Sequence, residues 1–257
     1  MEPNKCNEEW KHMVKSLNDD YDYMSTPRGM SVKEVIGGKY KMPMPAYLNL
    51  SKRKLNYAFM FAEAAWIVSG SNKLSELTTT MKSYANYSDD SVFLSGAYGP
   101  KIVDQLTYIV KTLTSDTDSR QAVLNIWRER PGSSKDIPCT TNMQFLIRDD
   151  KLHSVVTMRS NDAVLGVSYD IFTFSMVANA VRLLLSARGV NVTLGDLRVN
   201  AGSLHIYERH FSKVDEWVND DGTDEAVAID IINIMKLATT YEDLIGYLNA
   251  AASKWSK

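Results

Sequence analysis

The chain has little of what usually announces an activity. It has two cysteines in 257 residues, Cys6 and Cys139, far apart in sequence and with Cys6 in an expected mobile terminus. A disulfide framework is thereby excluded as the organising device, and a reducing cytoplasm is the expected compartment. There is no glycine-rich phosphate loop, so any phosphate would have to be gripped by arginines, whose planar forks suit bidentate contacts. There is no His-Glu-x-x-His pattern, and His205 and His210 lack a third ligand, so no metal is expected. Apolar runs such as Ala226–Ile234 fall well short of the roughly 20 residues that cross a bilayer, and the opening Met1-Glu-Pro-Asn-Lys-Cys is unlike a signal peptide. Charge of one sign is missing too. The balance of 29 Lys and Arg against 31 Asp and Glu leaves −2, which provides no global basic field for nucleic acid. The remainder, 44% hydrophobic and 23% charged, is the composition of an ordinary soluble globular enzyme.

Periodicity predicts one α+β domain over residues 1–257, with a mixed sheet and no repeat or linker. Glu8–Leu17 reads as a short helix with Trp10, Met13, Val14 and Leu17 on one face. Strands are expected near Ser31–Ile36 and Lys39–Met42. A helix follows from Lys52, with Leu55, Phe59, Ala62 and Trp66 at helical spacing and Gly70 as its stop. Lys73–Asn86 is expected to be helical. Pro100–Leu113 reads as a helix with Ile102, Val103, Leu106, Ile109 and Val110 inward, and Arg120–Trp127 as a strand. Arg128–Asp136 is a loop with turn chemistry. Asn142–Arg148 and Leu152–Ser160 flank Asp149-Asp150 as a hairpin. Val167–Arg188 is a buried helix closed by Gly189. Val190–Thr193 and Leu197–Val199 read as strands, His205–Trp217 as the start of a helix, and Ala226–Leu237 and Tyr241–Ala252 as helices.

Polar residues with chemical potential concentrate between Pro138 and Phe211. Cys139 is either a small buried hydrophobe or, with Arg159 and Arg120 to favour a thiolate, a nucleophile. Glu63 is either a solvated helix flank or a carboxylate pressed into a cleft wall. Taken singly, Arg28, Arg120 and Arg159 read as surface arginines. The residues alone therefore lead to a possible cysteine-nucleophile enzyme acting on an anionic substrate.

The series Pro138-Cys139, Gln144-Phe145, Arg159-Ser160-Asn161-Asp162, Leu165-Gly166, Asp170-Ile171, His205-Ile-Tyr207 and His210 resembles the thymidylate synthase family. So do Arg28-Gly29, Glu63-x-x-Trp66, Tyr98-Gly99 and Ser119-Arg120, all in family order. The resemblance implies an α+β homodimer packed sheet to sheet. It implies that Cys139 attacks C6 of a pyrimidine nucleotide, which makes C5 nucleophilic towards methylenetetrahydrofolate, the co-substrate. Arg28, Arg159, Ser160 and the partner's Arg120 would hold the 5′-phosphate, and His205 and Tyr207 the sugar hydroxyl. Tyr98 and Asn161 would complete the substrate site. Glu63 would organise water and proton transfer, and Asp162 would contact the pterin.

Departures from the synthase pattern refine this. Asp170 occupies the position of an asparagine that reads the uracil edge, and a carboxyl there suits the amino group and unprotonated N3 of cytosine. A helix-capping role is the alternative. Asp170, with the strings Met158-Arg-Ser-Asn-Asp162 and Gly202-Ser-Leu-His-Ile-Tyr207, resembles the phage deoxycytidylate hydroxymethylase branch, and Ser160 favours dCMP over CMP. Gln121 replaces the second arginine of an Arg-Arg pair. Asn56 stands in for a folate-contacting histidine, and Tyr84 is the candidate replacement for an active-site tryptophan. Ser253–Lys257 lacks the apolar ending that closes over folate, which fits a site that admits water. Hydroxymethylation of dCMP in the cytoplasm, that of the host if a phage encodes the chain, is the implied activity. The rivals are a dCMP methylase, a CMP-using relative and a non-catalytic nucleotide-binding homologue.

Overall fold

The structure is a computed structural model and describes residues 4–128 and 132–256. Residues 129–131, in the middle of the expected Arg128–Asp136 loop, lie outside it. Among the described residues, six strands form one mixed sheet: β1 (Tyr23–Ser25), β2 (Val32–Pro43), β3 (Val123–Asn125), β4 (Thr140–Arg148), β5 (Lys151–Asp162) and β6 (Thr193–Tyr207). Their order is β1-β2-β6-β5-β4-β3, with β5 and β6 parallel and every other pair antiparallel. The α+β architecture of the sequence reading is therefore found. Helices are α1 (Lys5–Asp19), α2 (Tyr57–Val68), α3 (Ser75–Thr78), α4 (Gly99–Ser115), α5 (Gly166–Ser186), α6 (Glu208–Phe211), α7 (Val214–Val218), α8 (Glu225–Leu237) and α9 (Tyr241–Trp255).

The register of the sheet starts at the β4–β5 hairpin. Asp149 and Asp150 both take positive φ, 51° and 54°, the conformation of a type I′ turn, whose twist matches that of the flanking strands. The turn puts Met143, Phe145, Ile147, Leu152, Val156 and Met158 into the core. The opposite face carries His153, Val155, Thr157 and Arg159, half-buried or exposed. Helix α5 links β5 to its parallel neighbour β6 and packs against both. Ile171, Phe172, Phe174 and Val177 of α5 are fully buried, so the sheet and the helix share one apolar cluster. Helix α2 packs on α5, and α9 packs on α2, with Tyr57 and Trp255 edge to face at 5.0 Å between ring centres.

Several local expectations are corrected. The two strands around Gly37 are one strand, β2. Gly37 takes φ +71° within it, and Gly38 lies where a Cβ would meet Leu204 at 2.6 Å. Lys73–Asn86 holds only α3 and a 3₁₀ turn at Lys82–Asn86; Leu77 is the one fully buried apolar residue there, too little to anchor a long helix. The strand expected over Arg120–Trp127 shortens to β3. The β6 strand runs unbroken through Val199, Leu204 and Tyr207, so His205 sits on a strand and not at a helix start. Cys6 is not in a mobile tail. It lies in α1, 1% exposed, and burial pushes its thiol pKa up to about 11. Val103, expected inward, is 37% exposed.

Candidate active site

Cys139 directly precedes β4, beside the end of β5, because the antiparallel pairing brings Thr140 opposite Met158. The Arg159 N–H donates to the Cys139 carbonyl at 2.8 Å. Next to this lies a bulge, where Thr141 is extra to the ladder and its Oγ1 donates to the Thr157 carbonyl at 2.9 Å. The Arg159 guanidinium wraps the segment before the cysteine. Nε donates to the Pro138 carbonyl and Nη2 to the Ile137 carbonyl, each at 3.0 Å, and Nη1 to Ser160 Oγ at 3.1 Å. Ser160 Oγ in turn faces Cys139 Sγ at 3.7 Å. Cys139 is partly exposed and unpaired in any disulfide.

Two carboxyls with raised pKa values lie close by. Glu63, in α2, accepts from the Tyr84 hydroxyl at 2.5 Å and from Thr173 Oγ1 at 3.5 Å. Burial pushes its pKa up to about 7 against the pull of those two hydrogen bonds. Asp170 accepts from Asn161 Nδ2 at 2.7 Å. Burial first, then the charge of Glu63, push its pKa up to about 8, while the Asn161 hydrogen bond opposes the shift. Tyr98 lies near both Asp170 and Cys139, and its oxygen accepts from the Thr140 N–H at 3.2 Å. Burial, with those two neighbours, keeps its hydroxyl protonated. The capping alternative for Asp170 fails on geometry. Helix α5 begins at Gly166, so Asp170 is already one turn inside it, and its bond goes to a side chain.

Asp162 shapes the entry to α5. Its Oδ1 accepts from the N–H groups of Val164 at 2.8 Å and Leu165 at 3.2 Å, while Oδ2 faces Arg209 at 3.9 Å. The parallel register pairs Asp162 with His205. His205 is 8% exposed, and burial lowers its pKa, which leaves the ring neutral at pH 7. Its Nδ1 lies 3.3 Å from Ser203 Oγ, and its ring meets Tyr207 edge to face at 5.2 Å. The Arg209 guanidinium sits 4.3 Å from the centre of the Tyr207 ring.

The structure thus gathers Cys139, Arg159, Ser160, Asn161, Asp170, Glu63 and Tyr98, with Asp162, His205 and Tyr207 alongside. Arg28 and Arg120 are not brought to Cys139. Arg28 is exposed in a Pro27–Gly29 turn with φ 55°, just before β2, whose Val32 pairs with Tyr207. Arg120 is exposed before β3 at the far edge of the sheet, and its carbonyl accepts from Gln144 Nε2 at 2.8 Å. Asn56 is the N-cap of α2: it accepts from the Phe59 N–H at 3.0 Å and donates to the Thr80 carbonyl at 2.9 Å. Sequence reasoning missed Tyr40, which donates to Asn161, and Thr173. Tyr84 was noted only as a replacement, without its bond to Glu63. No group of three or more His, Cys, Asp or Glu is placed to hold a metal, and no helix is long and apolar enough to cross a membrane, among the described residues.

A thymidylate synthase family model matches residues 8–251. The chain belongs to the thymidylate synthase family. Within that family it is 29% identical over 203 residues to a deoxyuridylate hydroxymethyltransferase of Bacillus phage SP01, covering 70% of this chain and 52% of that protein. It is 29% identical over 213 residues to a deoxycytidylate 5-hydroxymethyltransferase of Enterobacteria phage T2, covering 77% and 85%. The chain therefore spans about half the length of the first relative and most of the second. Among solved structures it is similar to thermostable thymidylate synthase A of Bacillus subtilis, with a TM-score of 0.70, 18% identity and 85% of each chain covered. The thymidylate synthase fold is the architecture of this chain.

Proposed function

We propose that the chain is a deoxycytidylate 5-hydroxymethyltransferase that takes a one-carbon unit from methylenetetrahydrofolate. Asp170 carries this reading. A carboxyl whose pKa lies near 8 is largely an acid at neutral pH, able to donate to the unprotonated N3 of cytosine and accept from its 4-amino group. An asparagine in its place would serve uracil as well.

In this reading the Cys139 thiolate adds to C6, which makes C5 the carbon nucleophile. The C5 carbanion bonds the methylene carbon of methylenetetrahydrofolate. C5 then loses its proton to a base as tetrahydrofolate departs, leaving an exocyclic methylene. Water adds to that carbon, and Cys139 leaves from C6 to restore the ring. Glu63, with a pKa near 7, both gives and takes protons at neutral pH and orders the water beside Tyr84. Arg28, Arg159, Ser160 and the partner's Arg120 hold the phosphate, and His205 and Tyr207 the sugar hydroxyl. Tyr98 and Asn161 line the base. Asp162 faces the pterin. The donors nearby suit a polar heterocycle with an anionic tail, since Arg53 Nε and His210 Nδ1 are buried without a hydrogen-bond partner among the described residues. The sheet face of His153, Val155 and Thr157 is the proposed dimer contact, and residues 1–257 are proposed as one domain acting in the cytoplasm.

Offering dCMP, CMP and dUMP together with methylenetetrahydrofolate, and weighing the products, tests the proposal. The expected product is 5-hydroxymethyl-dCMP with release of tetrahydrofolate, and Asp170→Asn should move kcat/KM towards dUMP. A methylated base, or hydroxymethyl-dUMP as the main product, overturns it.

A further inference from the structure

Tyr40 has no part in the chemistry above, yet through the Asn161 amide it reaches the carboxyl proposed to read the base. It lies in β2 opposite Val199 of β6, and its hydroxyl donates to Asn161 Oδ1 at 3.0 Å, its one hydrogen bond among the described residues. Asn161 is 3% exposed, so its amide has no water to turn towards. The other end of that amide donates to Asp170 Oδ2 at 2.7 Å. Gly166 leaves room for the contact: a Cβ there would stand 2.9 Å from Asn161 Nδ2 and 3.3 Å from Asp170 Oδ2.

The chain of donors fixes a direction. The phenol oxygen could accept from an amide NH₂, but that would leave its hydrogen without an acceptor among the described residues; donating to the amide oxygen satisfies it and points the amide NH₂ at Asp170. Oδ2 then receives a hydrogen and stays an acceptor, so the acid proton sits on Oδ1. This matters because an unconstrained carboxylic acid is ambivalent. With the proton on one oxygen it pairs with N3 and the 4-amino group of cytosine. With the proton on the other it pairs with N3–H and O4 of uracil. An amide turned over would offer its oxygen to Asp170 and draw the proton to Oδ2.

We propose that Tyr40 is a specificity-determining positioning residue: acting through Asn161, it fixes which oxygen of Asp170 donates and which accepts, and, with Oδ1 set against N3 and Oδ2 against the 4-substituent, so selects a 4-aminopyrimidine over a 4-oxopyrimidine. The proposal rests on the assignment of Asp170 to the base edge of dCMP made above.

Tyr40→Phe keeps the ring and removes the donor. Its kcat/KM for dCMP should fall and that for dUMP should rise, so that their ratio drops roughly five- to tenfold, mainly through KM. A merely structural loss would lower both in parallel. Asn161→Leu should relax the ratio as well, and the double variant should be no more relaxed than Asn161→Leu alone, because both substitutions cut one chain. A parallel fall of both activities, or additive effects in the double variant, overturns the role of Tyr40. If Asp170→Asn shifts the ratio in an enzyme that prefers dCMP while Tyr40→Phe does not, only the relay fails. A wild-type preference for dUMP overturns the Asp170 reading and the relay together.

Discussion

At the scale of residues, the site is organised by burial acting on acids. Glu63 and Asp170 both have pKa values raised well above the ordinary carboxylate range, and burial is the larger cause for each. The linked effect on stability has a definite sign. A carboxyl whose folded pKa lies above its unfolded value binds a proton in the native state over the interval between them, so its stabilisation is complete below the unfolded pKa and is lost as pH rises through the folded value. The ligand-free protein should therefore melt at falling temperature from about pH 4 to pH 8, an interval set by these two shifts. Glu63→Gln should flatten the part of that slope below about pH 7 and slow turnover more than it weakens nucleotide binding. Thermal scans across pH, together with kcat and dCMP affinity, check both halves; a slope unchanged by the substitution would mean that Glu63 is not the titrating group. Little of this was legible in the sequence. Cys139, Arg159 and Asp170 could be named because they fall in a recognisable order. The Tyr84–Glu63 bond could not, because it joins α2 to a turn that composition made look like a helix.

At the scale of elements, the sequence was most readable where a single side chain sets backbone geometry. The Asp149-Asp150 turn and the Gly189 stop, with φ +84°, are of this kind. It was least readable in β6, where Gly202 and Ser203 break the alternation that runs through Leu197, Val199 and Ala201. That strand is held by ladders on both sides, to β2 and β5, a tertiary cause that no local pattern carries. Helix α9 shows the readable kind again. Thr240 accepts from the Asp243 N–H at 3.0 Å, and Asp243 returns the bond to the Thr240 N–H at 3.0 Å. Thr240→Ala should cost ~1 kcal/mol, typical of a lost N-cap. In a chain of this length that lowers Tm by about 2–4 °C. Because α9 packs mainly on α2 and only lightly on α5, and the hydrogen bond of Asp170 goes to Asn161, the dCMP:dUMP ratio should stay as in the wild type. Calorimetry beside the two-nucleotide assay reads both, and a changed ratio would mean that α9 reaches the base site.

At the scale of the whole molecule, the arginines proposed to hold the phosphate pose a question of assembly. Arg120 stands exposed before β3, at the edge of the sheet; its proposed service to a neighbouring copy can be tested by mixing variants. Cys139→Ser and Arg120→Ala proteins should each have little activity alone, the first through loss of the thiolate and the second through loss of a charge-assisted contact. Refolded together one to one, they should regain about a quarter of wild-type activity, the share expected from one intact site in every second dimer. No recovery on mixing would mean that each site is built within one chain.

The parallel pairing of β5 with β6 has a consequence for the order in which the site comes into being. Cys139 and Arg159 meet by zipping a hairpin whose turn is two residues long, a local event. Asp162 and His205 meet only when the ends of a segment of roughly 40 residues, half of it α5, are brought together, and that closure is entropically slower. The proposed nucleophile and its arginine are thus expected to assemble while the histidine proposed to face the sugar is still distant, so that the reacting atom would be in place before the chain could hold anything for it to attack.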